Sequence, residues 1–237
     1  MNIFYKILLQ GKNFLFPCVC AVCGCNLLNA LEIRYNLCEK CRETLIPING
    51  EKCDKCGKPL ISEQKLCMSC RNSSDYSFDR LWVLFPYIGK YRKLLAAYKF
   101  KGNLALAKYL SEKIMEVISC EPELKDCVIV PVPPRPGKIK QNGWDQVDYL
   151  VKQLVKINKE KIISCCLNRH KSKTQKHLNR TERINNLKDR IYLKKKSPKT
   201  VLIIDDVITT GSTLEVCAGV LKKGGAEKVY GLCLFYD

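Results

Sequence analysis

The chain has 237 residues, 46% of them hydrophobic, and a formal net charge of +18. This apolar content suffices for one large or two unequal globular domains, and the positive charge indicates an anionic partner. Apolar runs stay well short of the ~20 residues that span a bilayer, and Gln10–Asn13 breaks the apolar start with no small-residue cleavage site. We therefore expect a cytoplasmic protein with neither a membrane span nor a signal peptide.

Sixteen cysteines in a chain without a secretion signal favour metal binding over disulfides. Eight of them form four Cys-x-x-Cys pairs, a spacing that lets both sulfurs reach one Zn²⁺ at about 2.3 Å. We assign consecutive pairs to two sites, the first with Cys20, Cys23, Cys38 and Cys41, the second with Cys53, Cys56, Cys67 and Cys70. Crossed pairing stays open, and Cys18 and Cys25 are close enough to compete at the first site. Four thiolates leave no open coordination position, so the predicted zinc is structural.

Polar residues without periodicity, Asn72–Ser77, follow the cysteine pairs, and we place the domain boundary between residues 74 and 75. Residues 1–74 are predicted to be a zinc-binding module. In residues 75–237, Leu81–Phe85 predicts a strand, and helices are predicted from Tyr91 to Lys101 and from about Ala105 to Ile118. The remaining cysteines in apolar settings are expected to pack in the core: Cys120, Cys127, Cys165, Cys166, Cys217 and Cys233.

Val128–Pro133 predicts another strand, which opens into a proline-stiffened loop. This loop carries Arg135, Lys138 and Lys140, three cations suited to clamp pyrophosphate at a strand exit. A helix from Asp145 to Val155 and a strand over Ile162–Leu167 are predicted next. Residues 169–183 then have the composition of a mobile lid over an anionic ligand, with Arg169 and Lys173 as further candidate anion contacts.

Positive charge is concentrated between Arg135 and Lys196, where 18 Lys/Arg stand against 5 Asp/Glu, a net charge of +13. Clustered cations gain from phosphate neutralisation and counterion release, so a polyanion such as single-stranded DNA is the predicted partner. Two alternatives remain open. In one, the lysines form a solvated face, and in the other, the cations serve only the pyrophosphate of a small substrate.

The C-terminal third of the chain predicts a βαβ unit. Val201–Ile204 lacks polar alternation, as in a central parallel strand that is covered on both faces. Apolar residues at helical spacing follow over Leu214–Leu221, Gly224-Gly225 ends that helix, and Val229–Phe235 predicts the next strand. Open α/β sheets bind their ligands at the carboxyl ends of such strands.

Residues 205–213 lie at the carboxyl end of the predicted strand Val201–Ile204. Thr210–Thr213 begin the predicted helix, where unpaired amides and the positive end of the helix dipole favour an anion such as phosphate. Asp205 and Asp206 suit the vicinal hydroxyls of a sugar, or Mg²⁺ bridging a polyphosphate. The alternative without a ligand is a covered strand followed by a capped helix, with the two acids merely solvated at the end of the strand.

The stretch IIDDVITTGST resembles the phosphoribosyl-pyrophosphate (PRPP) motif of type I phosphoribosyltransferases. The resemblance implies the fold of these enzymes, an α/β domain in which helices flank a parallel sheet. It also implies that Asp205 and Asp206 hold the ribose 2′- and 3′-hydroxyls. The 5′-phosphate would be cradled by the residues that follow, Thr209, Thr210, Gly211, Ser212 and Thr213.

Together, these blocks resemble the ComF competence family over nearly the whole chain: the cysteine module, the Val-Pro-Val-Pro strand with its basic loop, the segment from Thr174-Gln175 to Asn186 and the PRPP motif. One turn departs from the family pattern, because Asn142–Gln146 has an asparagine where the family has arginine and Asp145 where it has an amide. The resemblance implies PRPP binding and a cytoplasmic role in handling incoming single-stranded DNA during natural transformation, with a DNA-translocating helicase as partner.

Three functions are compatible with these features. The first is a DNA-handling factor that binds PRPP. The second is an active, Mg²⁺- and PRPP-dependent phosphoribosyltransferase of nucleotide salvage or biosynthesis, and the third is a zinc-stabilised adaptor with a vestigial pocket.

Overall fold

The computed structural model describes residues 18–48, 50–60, 65–72, 76–170 and 187–237. The chain divides into two compact units, one formed by Met1–Ile46 with Ile88–Tyr109 and the other by Pro47–Tyr87 with Leu110–Asp237. The domain boundary between residues 74 and 75 stays a prediction. In the described part of the chain, no helix has the length and apolar character needed to cross a membrane.

The described helices, in chain order, are α1 (Ala30–Tyr35), α2 (Glu39–Thr44), α3 (Met68–Asn72), α4 (Gly89–Lys99), α5 (Leu106–Cys120), α6 (Lys138–Asn142), α7 (Gln146–Ile157) and α8 (Ser212–Lys223). A short 3₁₀ turn covers Pro122–Leu124. The strands are β1 (Arg80–Pro86), β2 (Val128–Pro131), β3 (Leu167–Arg169), β4 (Ile191–Leu193), β5 (Thr200–Ile208) and β6 (Lys228–Tyr236).

A four-stranded sheet in the order β1-β6-β5-β2 forms the centre of the second unit, and all of its pairings are parallel. The two central strands, β5 and β6, consist largely of buried apolar residues. Such runs are expected where helices cover both faces of a parallel sheet. Both α7 and α8 pack against this sheet. The predicted parallel sheet with flanking helices is confirmed.

Local sequence sets where the flanking helices begin. Asp145 precedes α7, and its Oδ1 accepts hydrogen bonds from the amides of Val147 and Asp148 at 3.0 and 3.1 Å. This is an N-cap, which satisfies amides that have no partner within the helix. Gly211 precedes α8 with a φ of 74°, a left-handed conformation that glycine adopts without steric cost.

The predicted strand over Ile162–Leu167 is wrong in part. Ile163 makes an isolated parallel bridge with Ile129 at the edge of the sheet, and regular strand begins only at Leu167, where β3 pairs antiparallel with β4. The chain changes partner between these points, since the carbonyl of Cys166 already accepts from the amide of Lys194 at 2.7 Å. Apolar composition alone carries no information about which neighbour a short strand will choose.

In the first unit, polar contacts join short helices. Asn29 and Glu32 form a capping box at α1, and the rings of Tyr35 and Tyr109 meet edge to face with centroids 6.2 Å apart. The hydroxyl of Tyr109 donates to the carbonyl of Leu45 at 3.1 Å, and that of Tyr91 donates to the carbonyl of Ile46 at 2.9 Å. Metal binding is expected to contribute strongly to the folding of such a small segment.

The cysteines outside the four pairs divide into two groups. Core packing is confirmed for four of them, which are buried: Cys127, Cys166, Cys217 and Cys233. The same prediction is wrong for Cys120 and Cys165, which are exposed. Cys120 is the last residue of α5, and Cys165 precedes the buried Cys166 in an extended segment, where neighbouring side chains point in opposite directions.

Candidate functional site

The eight paired cysteines form two compact groups. Within Cys20, Cys23, Cys38 and Cys41, and within Cys53, Cys56, Cys67 and Cys70, all sulfur atoms lie within 4.8 Å of one another. A tetrahedral zinc ion with 2.3 Å bonds separates its sulfurs by about 3.8 Å. The Sγ atoms of Cys23 and Cys38 are 3.7 Å apart, as are those of Cys56 and Cys67. These donor sets fit zinc, and each set combines two consecutive Cys-x-x-Cys pairs. The prediction of two structural sites is confirmed.

The same local structure positions the first two cysteines of each group. The amide of Gly24 donates to the carbonyl of Cys20, and the amide of Gly57 donates to the carbonyl of Cys53, both at 2.9 Å. Both glycines have positive φ, at 80° and 67°, which permits the tight turn between the thiols. The later pairs lie at the starts of short helices, since Cys38 immediately precedes α2 and Cys70 lies in α3.

Cys25, a possible competitor at the first site, lies beside Cys23 with 3.3 Å between their sulfurs. Hydrogen bonds with Cys23 and Cys38 raise the pKa of Cys25 to about 12. The amide and side chain of Cys25 lower the pKa of Cys23 to about 6, which favours its thiolate. Cys23 belongs to the compact group of four sulfurs, so the geometry assigns Cys23 as the ligand.

In the second unit, β5 is longer than predicted and carries both aspartates. The strand was expected to end at Ile204 but continues to Ile208, because β6 runs alongside it to Tyr236 and supplies hydrogen-bond partners. Asp205 is half-buried and lies opposite Cys233, while Asp206 is only 9% exposed. The amide of Asp206 donates to Oδ1 of Asp205 at 2.8 Å, which fixes that carboxylate against the backbone.

The loop after β5 leads directly into the N-terminus of α8. The hydroxyls of Thr210 and Ser212 are 2.8 Å apart, and Ser212 is buried. The first amides of this 12-residue helix have no acceptor within it, and they favour an anion together with the helix dipole. Glu215 in the first turn holds the segment before β1 against this helix, since its carboxylate accepts from the amide of Ser77 at 3.0 Å and from its hydroxyl at 2.6 Å.

One of the predicted cations, Arg169, lies near Asp205. The side chain of Arg169 is half-buried at the end of β3. Burial lowers its pKa, as do the nearby guanidinium groups of Arg135 and Arg190, whereas Asp205 acts in the opposite direction. Arg169 therefore interacts electrostatically with both Arg135 and Asp205, which are distant from it along the chain. Sequence reasoning missed Arg190, whose only signal was its place in a basic stretch.

The other predicted cations differ in their surroundings. Nζ of Lys138 lies 2.6 Å from Oδ2 of the buried Asp145 and also contacts Oε1 of Gln146, so an acid already balances its charge. Lys140 is exposed on α6. Lys173 lies outside the described residues. The anion-binding roles of all these cations, and the PRPP contacts of residues 205–213, stay predictions.

Comparison with known proteins gives two family matches. Residues 12–71 match the double zinc ribbon domain, and residues 169–237 match the phosphoribosyl transferase domain. The first match covers both cysteine groups, and the second covers the aspartates and the loop before α8. The sheet in the second unit is therefore of the phosphoribosyltransferase type.

Similarity to curated relatives extends over most of the chain. The competence protein ComFC of Bacillus subtilis is 27% identical over 84% of this chain and 83% of its own length. ComFC of Streptococcus pneumoniae is 26% identical over 81% and 84%, and competence protein F of Haemophilus influenzae is 28% identical over 89% and 93%. The chain thus combines a double zinc ribbon domain with a phosphoribosyl transferase domain, and it is similar over most of its length to competence proteins of the ComF type.

Proposed function

We propose that the protein binds PRPP, or a related ribose phosphate, with Mg²⁺ and assists the handling of single-stranded DNA during natural transformation. The observation that supports this ligand is the order of chemical groups at the carboxyl end of β5. Two carboxylates, Asp205 and Asp206, stand immediately before the Thr209–Thr213 turn at the start of α8. Carboxylates accept hydrogen bonds from a sugar diol, and helix amides bind its phosphate.

Mg²⁺ belongs to this proposal because PRPP carries a pyrophosphate. A hard cation is bound in proteins through one or two carboxylates plus substrate phosphate oxygens, a donor set that Asp205 and Asp206 are able to supply. Arg135 and Arg169 would add positive charge on the side of Asp205, where the pyrophosphate of a bound PRPP needs neutralisation.

The DNA-handling part of the proposal rests on charge and on the relatives, which are named competence proteins. The net charge of +13 between residues 135 and 196 suits a phosphate backbone. A cytoplasmic location and a DNA-translocating helicase as partner are part of the same proposal.

Calorimetry on one preparation tests both ligands. PRPP with Mg²⁺ and a single-stranded oligonucleotide are each titrated into the wild-type protein and into an Asp205→Asn/Asp206→Asn variant. We expect the variant to lose PRPP binding while it retains its zinc and its oligonucleotide binding. A matched control, Asp126→Asn/Asp189→Asn, removes the same charge from two exposed positions and is expected to bind PRPP normally.

The outcomes separate the competing functions. PRPP binding that survives the double substitution would refute the assigned site. Release of pyrophosphate in the presence of a nucleobase or amine would establish the transferase function in place of a binding role. Absence of PRPP binding by the wild type, with oligonucleotide binding intact, would support an adaptor with a vestigial pocket.

A further inference from the structure

A cavity of about 190 Å³ lies between the second cysteine group and the loop that follows β5. Cys56, Lys58 and Cys70 line it on the ribbon side, and Thr209, Thr210 and Gly211 line it on the loop side. The loop residues are those proposed to cradle the phosphate of the ligand. The second zinc ribbon thus borders the ribose-phosphate site.

The ribbon is fixed in this position by contacts with β1 and with the segment that precedes it. The backbone of Gly57 is pressed against β1, since a Cβ at this glycine would lie 2.6 Å from the carbonyl oxygen of Leu81. Lys55 donates from Nζ to the carbonyl of Tyr76 at 3.4 Å and lies over the ring of Phe78, 5.7 Å from its centroid. The cavity wall is therefore anchored to the sheet.

The charge of the zinc site poses a problem for an anionic ligand here. Four thiolates around one Zn²⁺ carry a net charge of about −2 and would repel a phosphate across this cavity. Lys55 is absent from the cavity lining, and its Nζ lies behind two residues that do line the cavity, Tyr76 and Phe78. Among the described lining residues, Lys58 is the basic side chain, and it is exposed.

We propose that Lys58 binds the phosphate group held by the Thr209–Thr213 turn, so that the second zinc ribbon supplies part of the ribose-phosphate site. This inference rests on the proposed function. It gives the ribbon a role in ligand specificity in addition to its structural role. A lysine ammonium acts as a point charge and needs no fixed fork geometry, so arginine is expected to replace it without a large loss.

The test compares Lys58→Gln, Lys58→Glu and Lys58→Arg by calorimetry with ribose 5-phosphate and with PRPP plus Mg²⁺. For Lys58→Gln we expect the dissociation constant to rise about tenfold for both ligands, by the same factor, because both carry the 5′-phosphate. Lys58→Glu should weaken binding further, and Lys58→Arg should stay within about threefold of the wild type. Lys65→Gln, an exposed lysine of the same ribbon outside the cavity lining, is the control.

The results distinguish this inference from the proposed function. If the wild type binds neither ligand, the proposed function fails. If the wild type binds and Lys58→Gln binds equally well, the role of Lys58 is refuted. A loss confined to PRPP would also overturn it, since Lys58 would then act on the pyrophosphate. Two zinc ions per chain in every variant, measured by mass spectrometry, show that the ribbon remains folded.

Discussion

Asp145 shows how one side chain can serve two neighbours. Its Oδ1 caps α7, while its Oδ2 pairs with Lys138 across the preceding turn. The ComF pattern has an amide at this position, and an amide retains the capping oxygen but carries no charge. The acid thus couples the basic loop to the helix start, and it does so at a buried position where the pair is poorly screened by solvent.

Replacing Asp145 separates these two roles. We expect Asp145→Ala to lower the free energy of unfolding by about 2 kcal/mol, because both the cap and the ion pair are lost. Asp145→Asn should cost about 1 kcal/mol, since the capping oxygen remains. Urea unfolding at neutral pH measures both values, and equal costs for the two variants would show that the cap contributes nothing.

Asp79 makes stability dependent on pH. Its Oδ2 accepts from the amide of Val229 at 2.7 Å and from Nζ of Lys222 at 2.9 Å. Burial alone would raise the pKa of this carboxyl, but these two partners outweigh it and lower the pKa below its usual value. A carboxyl with a lowered pKa stabilises the folded state above the unfolded pKa, and this contribution is lost as pH falls through the folded pKa.

The difference in the free energy of unfolding between the wild type and Asp79→Asn isolates this contribution. We expect the wild type to be more stable by about 1 kcal/mol from pH 8 down to about 5, and this difference to shrink as pH falls through 4 and below. Urea unfolding of both proteins across that range gives the difference, in which acid effects shared by the two proteins cancel. A difference that does not change down to pH 3 would contradict the assignment.

At the scale of elements, Gly211 connects the strand that carries the aspartates to α8, whose N-terminus is the proposed phosphate site. Its φ of 74° disfavours any side chain, although a methyl group there would meet only Ile208, at an ordinary 3.6 Å. The constraint at this position is therefore conformational and not one of space.

Gly211→Ala is expected to cost about 1–2 kcal/mol of stability, because an L-residue is forced into the left-handed region. It should also weaken PRPP binding by displacing the helix amides. The matched control is Gly219→Ala in the interior of α8. This substitution raises the helix propensity, and the nearest atom to the added Cβ is 3.4 Å away. Thermal unfolding and calorimetry compare the two, and similar losses in both variants would argue against a special role for the turn.

The zinc ribbons are elements whose folding is expected to depend on metal. We expect the wild-type chain to hold two zinc ions and Cys53→Ser to hold one, because each tetrad is closed within itself. Metal analysis after gel filtration counts them. The consecutive pairing predicts further that Cys20→Ser/Cys53→Ser loses both ions, whereas retention of one ion in this double variant would indicate crossed pairing.

At the scale of the whole molecule, charge is expected to set the strength of the proposed interaction with single-stranded DNA. We expect simultaneous reversal of Lys171, Lys173 and Lys176 to glutamate to weaken single-stranded DNA binding and to reduce the slope of log K against log salt by about 2, since each lost phosphate contact contributes about 0.7. Fluorescence anisotropy from 50 to 300 mM salt measures the slope. Reversal at Lys99, Lys101 and Lys108 is the control of equal charge, and an unchanged slope in the first variant would remove that segment from the DNA contact.

Much of the site was predictable because its signals are local. Polar and apolar residues do not alternate in Val201–Ile204, which predicts a buried strand. The conformation of the Thr209–Thr213 turn depends on neighbouring residues alone, so the start of the helix also follows from the sequence. The Cys-x-x-Cys spacing likewise reflects the geometry of a single turn. Strand ends were less predictable, since β5 continues past Ile204 only because β6 lies beside it.

The sequence by itself determined the parallel sheet, the two metal sites and the place of the aspartates ahead of a helix N-terminus, because each depends on short-range pattern. Tertiary structure decided which pairs of cysteines share a metal, that Lys138 is balanced by Asp145, and that Arg169 lies near Arg135 and Asp205. It also brought Lys58 to the cavity beside Thr209–Gly211. These contacts join residues that are distant along the chain, and only the packing of the sheet with its helices and ribbon sets the distances between them.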